Sequence, residues 1–261
     1  MVKTEMICAN WLEGTSYASL NLRQERGNNP VRYIDPDGRD YYYTQDGVYL
    51  GQDDKKTQYV YAVNNDSYYS GKDGKSIVIE SGMTQIMDNQ GNAMLHNDFQ
   101  EIAGTIYKEM DAVKYTWEEG AAIYSVLENR GKENNTTVLE EAKVRGAAYG
   151  HKEWKEIKDP LASKDKVQNA YKGTIRGALD SYDYSGGAYS WQGRDLGIKN
   201  SGAYNWYYLS GLDFTSDSHN IWGLTKTEGP YKYETTAVFG KTTFLNLTND
   251  WKTKNRYTKK W

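Results

Sequence analysis

The spacing of apolar and polar positions changes period twice along this chain. Between residues 41 and 95, short apolar runs alternate with turn signals. Tyr41-Tyr42-Tyr43, Val48-Tyr49-Leu50, Tyr59-Val60-Tyr61-Ala62-Val63 and Ser76-Ile77-Val78-Ile79 are rich in the aromatic and β-branched residues that strands favour. Asp46-Gly47, Asn64-Asn65-Asp66 and Asp73-Gly74 punctuate them as hairpin signals. From His96 to about Tyr182 the period becomes helical. Phe99, Ile102, Ala103, Ile106, Tyr107 and Met110 recur at i, i+3, i+4, i+7, i+8 and i+11. A second helix follows and closes at Asn129-Arg130 before Gly131, with a cation near its end and a glycine just past it. Thr137-Val138-Leu139-Glu140 has the spacing of a capping box that opens a third helix. A fourth follows Pro160, on Val167, Ala170, Tyr171, Thr174, Ile175, Ala178 and Leu179. After Tyr184 the chain is rich in glycine and aromatics, then strand-like over Tyr231–Phe239 and Thr242–Leu247. The pattern predicts an α+β fold with a mainly helical core, preceded by a hairpin-rich region. The expected parts are 1–40, 41–95 and 96–261.

One carboxylate stands out in this pattern. Glu109 falls near the end of the first helix, at the margin of its apolar stripe. A carboxyl at the edge of a core loses part of its hydration, which is the condition a general acid needs near neutral pH. The competing reading is a solvated residue of the last turn. Glu118, Glu119, Asp183 and Asp195 are candidates for a partner carboxylate, which a hydrolase acting on a glycosidic bond normally needs. Glu118 and Glu119 open the second helix, where negative charge also favours the helix dipole. Asn129 can hold Glu109 or a neighbouring loop by hydrogen bonding. Tyr189, Trp191, Trp206 and Trp222 lie in glycine-rich sequence and are candidates for stacking on sugar rings.

Composition narrows the classes. Hydrophobic residues make up 38% of the 261 positions, but there are 24 tyrosines and 8 tryptophans. Rings with polar tips supply the missing burial and also suit a polysaccharide groove. The net charge is -3, and the one basic-aromatic cluster is the tail from Lys252 to Lys260, so a nucleic-acid surface is not expected. The single cysteine, Cys8, allows no internal disulfide. His96, His151 and His219 lack ligand spacing, so no metal site is expected. No phosphate loop of Walker or Rossmann type and no Gly-x-Ser-x-Gly elbow occurs, and no cofactor is implied. No stretch is long and apolar enough for a membrane span, and the first residues lack a signal-peptide core.

The order of four motifs carries a resemblance. IAGTIYKE, EEGAAIYSVLENRG, SGGAYSWQG and VFGKTTF, spread over roughly Phe99 to Phe244, resemble the bacterial cell-wall hydrolase family typified by the spore cortex-lytic enzymes. That family carries a glutamate late in its first helix, here Glu109. It has an Asn-Arg pair at the close of the second, here Asn129-Arg130. A Thr-Gly-Gly-Ala-type turn follows, here Ser185-Gly186-Gly187-Ala188, and then a Gly-x-x-x-Phe strand, here Gly240 to Phe244. Met110 stands where a small residue is usual, and the segment between the helices is aromatic. The resemblance implies a lysozyme-like helical core and cleavage of the peptidoglycan glycan strand. One glutamate then suffices if the sugar's own C6 hydroxyl closes a ring, as in lytic transglycosylases.

A second resemblance lies at the front. Asn29-Pro30-Val31-Arg32-Tyr33-Ile34-Asp35-Pro36-Asp37-Gly38 is similar to the end of the core in RHS-repeat (YD-repeat) proteins, after which a variable toxin or effector domain begins. Read residue by residue, it is a strand running into a turn. The resemblance implies an effector secreted or delivered by a specialised secretion system, with peptidoglycan glycan strands as target and an immunity protein as a possible partner. Two alternatives stay open. One is a non-catalytic cell-wall or glycan-binding module, and the other an RHS toxin domain of other chemistry, such as a nuclease.

Overall fold

The structure is a computed structural model that describes residues 40–53, 57–71, 77–79, 81–110, 115–147, 155–159, 164–193, 221–222, 233–240 and 242–259. The Asn29–Gly38 motif lies outside the described residues, as do Asp195 and Trp206. The fold is α+β. Six strands come first: β1 (Tyr41–Thr44), β2 (Tyr49–Gln52), β3 (Val60–Val63), β4 (Tyr68–Ser70), β5 (Ile77–Ile79) and β6 (Met83–Gln85). Among the described residues the helices α1 (His96–Glu109), α2 (Trp117–Asn134), α3 (Val138–Ala147), α4 (Lys155–Lys158) and α5 (Asp165–Leu179) follow. The chain then forms β7 (Ser190–Gly193), β8 (Ile221–Trp222), β9 (Tyr233–Phe239), β10 (Thr242–Leu247) and α6 (Asn249–Lys254).

The Asp46-Gly47 signal makes the expected hairpin between β1 and β2, with Gly47 at φ 81°. The Asn64–Asp66 signal does not. β3, which runs into that turn, pairs in parallel with β1 and antiparallel with β6 instead of with the strand that follows, giving a sheet of order β2-β1-β3-β6. β4 and β5 pair with each other as a separate ribbon. A second sheet has the order β7-β10-β9-β8. Its outer strand β7 occupies part of the stretch expected to be loop.

α2 is the centre of the molecule. Ala121, Ala122, Ile123, Tyr124, Val126 and Leu127 are all at most 1% exposed. A helix buried on every side belongs inside a core, which fits its short uninterrupted apolar run. It packs against α5, α3 and α1, and touches β7 and β9. Its contact with α5 is unusually close because glycines face each other there. A Cβ on Gly173 would sit 2.8 Å from the backbone of Gly120, and one on Gly177 would sit 2.6 Å from Tyr124.

Two helix starts carry side-chain caps, one of them the box expected at Thr137. Thr116 Oγ1 accepts from the Glu119 amide at 3.2 Å. The Thr137 capping box is complete: Thr137 Oγ1 accepts from the Glu140 amide at 3.2 Å, and Glu140 Oε2 accepts from the Thr137 amide at 2.7 Å. The end of α2 differs from expectation. The helix runs through Gly131 to Asn134, and Asn135 closes it in the left-handed region at φ 57°. Gly131 serves close packing, since a Cβ there would meet the Thr136 carbonyl oxygen at 2.8 Å. Arg130 is therefore an interior residue of the helix and does not cap it.

The boundary expected near residue 95 is one of secondary structure only. Tyr43, Val60, Ala62 and Ile86 share a single hydrophobic core with Phe99, Ile106, Tyr124, Tyr171, Trp191 and Phe244. The rings of Tyr43, Phe99 and Tyr171 lie 5.1–5.5 Å apart, joining sheet to helices. Among the described residues, no helix is long and apolar enough to cross a membrane.

Candidate functional site

Glu109 is the last residue of α1, half-buried, where Met110 leaves the helix with its amide still bonded to the Ile106 carbonyl. Met110 is 2% exposed, and its sulfur packs against Gly120 at the start of α2. Glu109 is thus held at the junction of α1 and α2. Its partner comes from across the molecule: Trp191 Nε1–H of β7 donates to Glu109 Oε2 at 2.7 Å. Trp191 faces Phe244 of β10 across the strand pair, and both rings are buried. Its ring is only 2% exposed, so it offers no open face to a sugar. Trp191 therefore meets Glu109 as a buried hydrogen-bond donor and not as the stacking platform expected for a sugar ring.

Asn129 and Arg130 build the ground on which Trp191 stands. Asn129 Nδ2 donates to Asp183 Oδ2 at 2.9 Å and to the Ala188 carbonyl at 3.1 Å. Arg130 Nε donates to the Tyr189 carbonyl at 2.6 Å, and its guanidinium lies 5.5 Å from the Trp191 ring centroid. Asp183 organises the turn between them. Its carboxylate accepts from the Ser185 amide (2.8 Å), the Ser185 hydroxyl (2.6 Å) and the Gly187 amide (3.0 Å). Gly186 and Gly187 take φ of 65° and 82°, which explains the paired glycines. Asn246 of β10 completes the clamp, accepting from the Tyr189 amide at 3.0 Å and donating to the Gly187 carbonyl at 2.9 Å. Asn129 therefore holds a neighbouring loop.

The other sequence candidates fall in different settings. Glu119 is fully buried and accepts from Thr242 Oγ1 at 2.5 Å, tying the start of α2 to β10. In this structure its carboxyl is closed off from solvent, a setting unlike that of a base activating water. Glu118 is half-buried in the first turn of α2, and its charge reaches Tyr184. Burial first, and then the bond to Asp180, push the Tyr184 hydroxyl up to about 12. Tyr189 is half-buried, with its backbone engaged as described. Trp222 is described by backbone alone, in β8, three strands across the sheet from β7. At the usual strand spacing that is about 14 Å, so its backbone does not share the position of Trp191.

Sequence reasoning missed Asp183 as the turn organiser and Asn246 as its clamp. The Asp-x-Ser-Gly-Gly run is the available signal, because an aspartate commonly bonds backbone two residues on and the glycines permit positive φ. It also did not anticipate the aromatic surface beside the start of α2. Trp117, Tyr184 and Tyr182 pack edge to face at 5.7 and 5.0 Å, and Lys172 Nζ lies 4.9 Å over the Trp117 ring. A hollow of about 420 Å³ adjoins it, lined by Asp46, Tyr115, Asp165, Gln168, Asn169 and Lys172. The β1–β2 turn thus supplies one wall through Asp46. Among the described residues, no group of three or more histidine, cysteine or carboxylate side chains could hold a metal ion.

Comparison of the chain with protein-family models, with curated proteins and with solved structures found no match.

Proposed function

We propose that this chain cleaves the glycan strand of peptidoglycan, with Glu109 as the acid and base, and serves as the effector domain of an RHS-type protein. The observation that supports the reading is convergence. A chain of contacts through Trp191 ties Glu109 to three other stretches far apart in sequence. Glu109 is gripped by Trp191, Trp191 is covered by Arg130, and the Asp183–Tyr189 turn is pinned by Asn129 and Asn246. A half-buried glutamate at the end of a helix, fixed from behind by a rigid donor, is suited to proton transfer.

In the reaction proposed, the Glu109 carboxylic acid gives its proton to the oxygen bridging two sugars. The bond from the anomeric carbon to that oxygen breaks, and its electron pair stays on the leaving oxygen. The C6 hydroxyl of the same sugar then bonds to the anomeric carbon and returns its proton to Glu109, leaving an anhydro end. This route needs one carboxylate, which agrees with the buried, bonded state of Glu119 and the turn-holding role of Asp183. A hydrolytic route with Glu118 as partner would leave a reducing end instead.

Zymography on purified peptidoglycan, followed by mass spectrometry of the products, tests the reading. Anhydro ends are expected. Glu109→Gln keeps the shape and loses the acid, so cleavage should fall by about 10²–10⁴-fold with the melting temperature nearly unchanged. Full activity in Glu109→Gln would remove the mechanism. Binding to the wall without cleavage by the wild type would point to a glycan-binding module.

A further inference from the structure

Trp191 is placed to do more than fill the core. An indole N–H can only donate, and a protonated carboxyl offers one hydroxyl and one carbonyl-type oxygen. The carbonyl-type oxygen is the better acceptor. When the Glu109 carboxyl carries its proton, the 2.7 Å bond from Trp191 Nε1–H to Oε2 favours the carbonyl role for Oε2 and the proton on Oε1. Neither partner can easily swing away. Trp191 is 2% exposed, sits opposite Phe244 in the strand pair and is covered by the Arg130 guanidinium at 5.5 Å. Glu109 is anchored at the end of α1.

We propose that Trp191 is a positioning residue that selects Oε1 of Glu109 as the oxygen that gives up and takes back the proton. The inference rests on the glycosidase reading above. When Oε1–H protonates the bridging oxygen, the carboxyl becomes an anion, and the bond from the indole becomes charge-assisted. Such bonds are shorter and stronger than neutral ones. The interaction thus strengthens as the reaction proceeds, which accelerates the chemical step without tightening substrate binding. The Oε1 anion then takes the proton of the attacking C6 hydroxyl as its oxygen bonds to the anomeric carbon, and the starting state returns. Arg130 acts through Trp191 by holding its ring and the preceding Tyr189 carbonyl.

The test uses the full chain in two arms. In the kinetic arm, Trp191→Phe should lower kcat on soluble glycan strands by roughly 10- to 10²-fold, the scale of a misplaced reacting group, with KM within about twofold of wild type. Should Trp191→Phe fold poorly, replacement of Trp191 by 3-benzothienylalanine decides. It keeps both fused rings and carries sulfur where indole has N–H, and it should show the same loss of kcat. In the spectroscopic arm, the chain has 8 tryptophans, and the indole N–H resonance missing from Trp191→Phe identifies Trp191. That resonance should move as pH is varied in the wild type and stay still in Glu109→Gln. A kcat within about twofold of wild type in a folded variant lacking the donor overturns the inference, as does an indole resonance indifferent to Glu109→Gln. A wild type that cuts no glycan but keeps the coupled resonance overturns the glycosidase reading and the catalytic role of Trp191 with it. An active wild type with unaffected variants overturns the inference alone.

Discussion

Mild acid should destabilise this protein through His96, which opens α1 at 6% exposure. Its Nε2 lies 2.8 Å from the Tyr43 hydroxyl, and the Tyr41 ring stacks on it at 3.4 Å between centroids. Burial pushes the Tyr43 hydroxyl well above its usual value, so that hydroxyl keeps its proton and pairs with Nε2 as a neutral group. Burial also pulls His96 down from 6.5 to about 3. Above pH 6.5 the ring is neutral in both folded and unfolded chains, and it adds no pH dependence. Between 6.5 and 3 the unfolded chain binds a proton that the folded chain refuses, so stability falls as pH drops. Integrated to pH 4, the loss is about 3 kcal/mol, a large share of the ~5–15 kcal/mol that holds a domain together. For a chain of this size it corresponds to a melting temperature lower by roughly 6–12 °C. Urea unfolding followed by tryptophan fluorescence between pH 7 and pH 4 measures it, with His96→Gln alongside. The variant should be less stable at pH 7, because it loses the Tyr41 stack, but its stability should fall less steeply on acidification. Asp46, held low by Lys172, adds to acid loss, and Asp98, raised by burial, opposes it. Both act equally in wild type and variant and drop out of the difference. Parallel stability curves for the two proteins would refute the assignment to His96.

Three further variants probe the frame around Glu109. Gly173→Ala puts a methyl 2.8 Å from the Gly120 backbone, so overpacking of about 1–3 kcal/mol should outweigh the ~1 kcal/mol gained in helix propensity. A melting temperature equal to or above wild type would show that α2 and α5 separate freely. Asp183→Ala strips three hydrogen bonds from the Ser185–Ala188 turn and one from Asn129, and should cost about 2–3 kcal/mol in denaturant titration. Asp183→Asn keeps the shape but trades one acceptor oxygen for a donor, so it should cost part of that stability while retaining glycan cleavage. Total loss of cleavage in a folded Asp183→Asn would make Asp183 the partner carboxylate instead of a turn residue.

Local chemistry was legible along the chain wherever neighbours in sequence decide the structure. The stripe from Phe99 to Met110 is α1, the Thr137–Glu140 box opens α3, and Asp46-Gly47 joins β1 to β2. Each depends on contacts within a few residues. The place of Glu109 at the edge of its stripe follows from the same period. Other features depended on partners that are distant in sequence. β7 has four residues and no period of its own, and it is a strand because Thr242–Leu245 lies against it. β3 turns away from the expected hairpin because β1 and β6 bury both its edges. Gly131 looks like a helix stop, yet its missing side chain makes room for Thr136 and Asn89 while the helix continues. The candidate site shows the same division. Residue type and order marked Glu109, Asn129 and the Gly186-Gly187 turn. That Trp191 is buried, that its N–H points at Glu109, and that Glu119 is sealed against Thr242 arise only from the packing of β7 and β10 on α2. A side chain's periodicity reports which face of its own element it occupies. Its exposure and its partner are set by what packs on that face.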